Sequence, residues 1–154
     1  MKKENVCISK SEEETKRIGK ELAQSTKNLK TEKALVISLF GDLGGGKTTF
    51  TQGFGQGLNI REKILSPTFV IMKRFEIQES RFSNFYHIDC YRIKDEKDLS
   101  SLEFREILED SRNIIIVEWA ERIQKVLPKQ RIDVSFSFVD EKTRKIVVES
   151  KDER

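Results

Sequence analysis

Apolar runs separated by polar stretches divide the chain into alternating strand and helix segments. Ala34-Leu35-Val36-Ile37-Ser38-Leu39-Phe40 and Asn113-Ile114-Ile115-Ile116-Val117 are nearly continuous apolar, β-branched runs. Runs of this kind predict strands buried on both faces. Thr68 to Ile77 and Phe82 to Asp89 are rich in strand formers and are separated by the polar stretch 78–81, which predicts an antiparallel hairpin. Arg131 to Phe138 and Lys145 to Glu149 alternate apolar with polar around Asp140-Glu141-Lys142-Thr143, a second hairpin. A short strand is expected over Asn5 to Ile8.

Helical signals mark four further segments. Ser11-Glu12-Glu13-Glu14 is a capping box, and Ile18, Leu22 and Ala23 then fall on one helical face. Phe50, Phe54 and Leu58 stand four apart, although Gly53, Gly55 and Gly57 each weaken that helix by up to about 1 kcal/mol relative to alanine. Packing must therefore hold it. Leu99, Leu102, Phe104, Ile107 and Leu108 predict another helix through about Asp110. Ala120 to Leu127 is expected as a short helix stopped by Pro128.

Composition narrows the class. The 154 residues suit one domain over 1–154, and charged and hydrophobic residues each make up 36%, as expected of a globular protein with a well-solvated surface. No apolar run reaches the roughly 20 residues of a membrane helix, and no signal-peptide core follows the charged first residues, so a cytoplasmic location is expected. Net charge of +3, with basic residues scattered among acids, marks no surface for DNA or RNA. Cys7 and Cys90 match no metal-ligand spacing and are expected as reduced thiols.

The chemistry centres on Gly41-Asp42-Leu43-Gly44-Gly45-Gly46-Lys47-Thr48, which fits the phosphate-loop pattern G-x-x-x-x-G-K-[ST] at every fixed position. It lies between a predicted strand and a predicted helix, so backbone N–H groups would meet an anion at a helix N-terminus. Asp42, Leu43, Gly44, Gly45, Gly46, Lys47, Thr48 and Thr49 are the expected nucleotide-binding residues, with Lys47 on the β- and γ-phosphates and the Thr48 hydroxyl on Mg²⁺. Asp89 and Glu118 each end a predicted strand. Glu118 is the better metal-side acid, because its strand is the more apolar and so is expected beside the phosphate-loop strand. Ser66 and Thr68 are either hydroxyls of a γ-phosphate-sensing switch or those of a turn beside Pro67. His87, inside a strand pattern, is expected in a structural, hydrogen-bonded role rather than a catalytic one. Trp119 is a core aromatic or a partner anchor, and its spacing does not decide between them.

Four motifs in this order resemble the TsaE (YjeE) family, the small bacterial ATPase of tRNA threonylcarbamoyladenosine synthesis. They are Gly-Asp-Leu-Gly-Gly-Gly-Lys-Thr-Thr-Phe at 41–50, Ser-Pro-Thr-Phe at 66–69, His-Ile-Asp-Cys-Tyr-Arg at 87–92 and Val-Glu-Trp-Ala-Glu at 117–121. The resemblance implies an α/β P-loop NTPase domain whose mixed central sheet, antiparallel hairpins included, is flanked by helices. It implies ATP as substrate, Mg²⁺, weak ATPase activity, and assembly with the TsaB–TsaD pair, through which tRNA is met indirectly. ATP hydrolysis would reset that complex between turnovers. By position, Lys47 and Asp89 are then catalytic, Asp89 placing the attacking or a metal-bound water. Thr48 and Glu118 are metal-side groups, and Ser66, Thr68, Arg92 and Trp119 are switch or partner-sensing residues. Gly45, Cys90 and Ala120 stand where the family commonly has alanine, an aliphatic residue and proline. Thr15 and Arg131 are candidates for the adenine site.

Other classes make different demands. A small-molecule kinase wants an arginine-bearing lid and an acceptor pocket, and no such segment is evident. A small GTPase wants an Asn-Lys-x-Asp motif, which the sequence lacks. A third reading is a nucleotide-binding module without turnover; Glu118 and Asp89 argue against it and leave it open.

Overall fold

The computed structural model describes residues 3–41, 46–65, 72–95, 99 and 102–151. Among them, β1 (Lys3–Ser9), β2 (Leu35–Gly41), β3 (Met72–Glu76), β4 (Asn84–Asp89), β5 (Asn113–Glu118), β6 (Arg131–Phe138) and β7 (Arg144–Lys151) form a seven-stranded sheet of order β1-β7-β6-β2-β5-β4-β3. The centre is parallel: β2 lies between β6 and β5, and β5 pairs in parallel with β4. Both flanks are antiparallel, through the β3–β4 pairing at one edge and the β6–β7 and β7–β1 pairings at the other. The sheet is therefore mixed, with the two hairpins outside a parallel core.

The burial of β2 and β5 explains their apolar runs. Leu35, Ile37 and Leu39 of β2, with Ile114 and Ile116 of β5, face a core completed by Ile18, Ala23, Phe50, Phe54 and Leu58. Val36, Ile115 and Val117 point the other way, into a second core with Leu99, Phe104 and Ile107. Helices cover both faces, so alternation disappears from the central strands.

The first core is built by α1 (Glu12–Thr26) and α2 (Lys47–Gly57), the second by α3 (Leu102–Glu109). Ser11 caps α1 by accepting the Glu14 N–H at 3.1 Å, while the Glu14 carboxylate accepts the Lys10 N–H at 2.7 Å. The glycines of α2 have a packing reason. A Cβ on Gly53 would lie 2.0 Å from the Lys16 carbonyl oxygen, and one on Gly19 of α1 would lie 2.3 Å from that of Phe50. Small residues on both sides let the two helix backbones touch, and that contact compensates for their low helix propensity.

One expected element differs. Ala120 to Leu127 is not an α-helix but two 3₁₀ turns, Ala120–Arg122 and Gln124–Val126. Trp119 enters them in the left-handed region at φ 58°, and Ile123 at φ −132° interrupts them, so no continuous i to i−4 ladder forms. Cys7 and Cys90 are both free thiols, and burial pushes that of Cys90 up to about 12. Among the described residues no helix is long and apolar enough to cross a membrane.

Candidate nucleotide site

Strand β2 delivers the chain to the phosphate loop, and α2 carries it away. Asp42, Leu43, Gly44 and Gly45, as well as Ser66 and Thr68, lie outside the described residues. Gly46 is the residue before α2, in the left-handed region at φ 99°, where a Cβ would be strained, and it supplies no side-chain cap. The first N–H groups of α2 and the positive end of its dipole therefore stand at Gly46 and Lys47. Lys47 opens the helix with only 5% of its surface exposed. Its ammonium donates to the Gly41 carbonyl at 2.7 Å and sits 4.1 Å from the centre of the Trp119 ring.

The acids arrive on neighbouring strands. Parallel register sets Leu39 of β2 beside Glu118 of β5, and Glu118 beside Asp89 of β4. Glu118 is 2% exposed and is held from three sides. Thr48 Oγ1 donates to Glu118 Oε1 at 2.8 Å, His87 Nε2 meets Oε2 at 2.5 Å, and Thr51 Oγ1 stands 3.5 Å from Oε2. A buried carboxylate with such partners meets the condition that buried charge be hydrogen-bonded.

Asp89 is half-buried, and its Oδ1 accepts the Tyr91 N–H at 3.0 Å. Burial is the main influence holding the carboxyl above its ordinary range, and Glu118 adds to it. The Tyr91 N–H, His87 and Lys47 pull the other way without prevailing. Two carboxyl groups on adjacent strands and one ammonium thus share a small, partly desolvated space.

Trp119 follows Glu118 with its backbone left-handed, which is uncommon for a bulky side chain. Its ring packs against Tyr91, with centroids 5.2 Å apart, as well as over Lys47. Arg92 is exposed in the turn after β4. Glu121, in the 3₁₀ turn beyond Trp119, accepts the Gly41 N–H at 3.3 Å and so ties this segment to the first residue of the loop.

A cleft of about 260 Å³ adjoins the same helix start, lined by Lys10, Ser11, Glu12, Thr15, Gly46, Thr49, Lys142 and Arg144. Thr15 and Thr49 therefore line the cleft together with Gly46, the residue before α2. Arg131 does not line it. Its guanidinium bonds Asp133 at 2.8 Å and the Pro128 carbonyl at 3.0 Å, a tie across the start of β6. Lys10, Lys142 and Arg144 are the residues that motif reasoning does not reach, because the register of β7 with β1 and β6 brings them to the cleft.

The family model for threonylcarbamoyl adenosine biosynthesis protein TsaE matches residues 9–146. The tRNA threonylcarbamoyladenosine biosynthesis protein TsaE of Haemophilus influenzae is 35% identical over 125 residues, covering 81% of this chain and 77% of its own. The protein of the same name from Bacillus subtilis is 38% identical over 135 residues, covering 87% and 78%. In three dimensions the chain resembles the crystal structure of Bacillus subtilis YdiB, with a TM-score of 0.76 at 30% identity over 99% of this chain and 88% of that one. A matching model that spans the phosphate loop and both acidic strand ends, with relatives similar over most of their length, makes this chain a member of the TsaE family.

Proposed function

We propose that the protein is a single-domain, cytoplasmic ATPase that serves threonylcarbamoyladenosine modification of tRNA. In this reading it acts with the TsaB–TsaD complex, meets tRNA through that complex, and resets it between turnovers. The observation that carries the enzymatic part is the 2.8 Å contact between the Thr48 hydroxyl and the Glu118 carboxylate, beside Lys47 and one strand from Asp89. The pathway part rests on membership of the family and on the names of its relatives.

The donor set fits Mg²⁺. One hydroxyl and one carboxylate oxygen are hard ligands, and Mg²⁺ prefers few protein groups, completing its shell with water and phosphate oxygens. Among the described residues no group of three His, Cys, Asp or Glu side chains could hold a metal ion. Thr48 and Glu118 would hold the ion, which would supply charge neutralisation at the phosphates.

The chain's own groups then divide the work. Lys47, whose ammonium donates to the Gly41 carbonyl, would exchange that partner for the β- and γ-phosphates and neutralise them. Asp89, one strand beyond Glu118, orients the attacking water and takes its proton, a task favoured by a carboxyl above the ordinary range. The cleft of Thr15, Thr49, Lys142 and Arg144 takes the nucleoside half. Trp119 and Tyr91 shield the phosphate end from water, and Arg92 serves partner contact or charge stabilisation.

The deciding experiment adds the purified protein and ATP to TsaB–TsaD with tRNA and follows modification over many turnovers. Sustained turnover that depends on both additions is expected. Multiple turnovers without this protein would remove the resetting role.

A further inference from the structure

His87 is wholly buried on β4, and among the described residues only one of its ring nitrogens has a partner. Nε2 meets Glu118 Oε2, while Nδ1 is buried with no hydrogen-bond partner among the described residues. Since a carboxylate only accepts, the hydrogen in this contact is carried by Nε2. Thr51 is the weaker donor to Oε2, at 3.5 Å, because its single hydroxyl hydrogen is shared with the Lys47 carbonyl at 2.9 Å. His87 is therefore the principal donor to that oxygen. An apolar side chain would fill the site without stranding a polar atom, so the stranded Nδ1 points to a use for Nε2.

That use is geometric. Glu118 carries its carboxyl on three rotatable bonds, and the two oxygens are engaged on opposite sides, Oε2 by His87 and Oε1 by Thr48. We propose that His87 is a positioning residue that clamps Oε2 of Glu118, so that Oε1 alone is presented beside Thr48 to the cation carried by the nucleotide. The proposal rests on the reading of Thr48 and Glu118 as metal-side groups. Without the clamp the carboxyl can turn toward Lys47 or Thr51. Partners that orient a ligand from behind typically govern metal affinity by about 10- to 100-fold.

Trp119 is the only tryptophan in the chain and follows Glu118 directly, so intrinsic fluorescence reports binding without relying on turnover. The experiment titrates Mg²⁺ against protein with ATP, and ATP against protein in EDTA, for wild type, His87→Leu, His87→Gln, His87→Asn and Glu118→Gln. His87→Leu is expected to raise the half-saturating Mg²⁺ concentration about tenfold and to leave ATP binding in EDTA unchanged. Glutamine reaches as far as Nε2 and should restore the wild-type value. Asparagine reaches only as far as Nδ1 and should behave like leucine. The difference between glutamine and asparagine tests the clamp even if the leucine variant does not fold. Equal Mg²⁺ dependence in wild type and every folded His87 variant, with Glu118→Gln impaired, overturns the clamp alone. Unchanged Mg²⁺ dependence in Glu118→Gln overturns the metal-side reading and the clamp with it.

Discussion

Asp89 and Glu118 are partners in the parallel register of β4 and β5, so two carboxyl groups end neighbouring strands on one face of the sheet. Their environments differ. Glu118 is 2% exposed and bonded to Thr48 and His87, whereas Asp89 is half-buried with a backbone N–H on one oxygen. Paired acids in unlike surroundings are suited to unlike tasks.

Removing Asp89 separates binding from chemistry. Asp89→Ala is expected to bind ATP as tightly as wild type while losing about a hundredfold or more in turnover, the range of one general base. Steady-state hydrolysis beside equilibrium nucleotide binding checks this. Unimpaired hydrolysis would reassign Asp89.

The raised carboxyl of Asp89 also has a signature in stability. Its folded form holds a proton more tightly than the unfolded chain, so stability is lost as pH rises from the ordinary aspartate value of about 3.9 through the folded value. Asp89→Asn cannot ionise. It is expected to melt above wild type at pH 7, with the gap closing as pH falls toward 3.9. Thermal melts across that range test the sign, and a gap independent of pH would rule out the cause. Hydrolysis by wild type should lose activity in acid with a midpoint above the same value.

Lys47→Ala and Thr48→Ala are each expected to abolish productive nucleotide use, one by removing charge at the phosphates and the other a metal-side oxygen. Full ATP turnover in either purified variant would contradict the phosphate-loop assignment.

The cleft beside α2 makes a separate demand. Thr15→Val and Arg144→Ala are expected to weaken ATP binding by roughly tenfold, about 1.4 kcal/mol. Binding of inorganic tripolyphosphate should not change, because it has no nucleoside half. Calorimetric titration with both ligands distinguishes the cleft from the loop.

Helix propensity and packing oppose each other at Gly53. Alanine favours a helix by about 1 kcal/mol over glycine, yet its Cβ would stand 2.0 Å from the Lys16 carbonyl oxygen. Overpacking of this kind costs about 1–3 kcal/mol, so Gly53→Ala is expected to destabilise on balance. Urea unfolding gives the answer.

These cases also mark how far the sequence is legible. The apolar runs of β2 and β5 announce buried central strands, and their adjacency puts Glu118 beside the phosphate-loop strand. Asp89 is likewise visible as a strand end. The cleft is not visible, since Lys142 and Arg144 approach Thr15 only through sheet order and such placement leaves no periodic trace. Gly53 reads as a weakness until the crossing of α1 and α2 is known. The 3₁₀ turns after Trp119 escape notice because apolar spacing over eight residues does not register a left-handed backbone at the start. His87 reads as structural from its strand pattern, and only the register of β4 on β5 brings it to Glu118.

The pairing of β1 with β7 bears on how the chain is assembled in time. Lys3 lies opposite Ser150, and β1 has no other strand neighbour among the described residues. β1 precedes β7 in the chain, so it leaves the ribosome before its partner and must wait for it. Until then it is an unpaired, half-apolar strand, and the edge of β7 that it will cover does not yet exist. The parallel centre, from β2 to β5, can gather earlier. Synthesis thus reaches the strands that flank the phosphate-loop motif before the flank that closes the sheet.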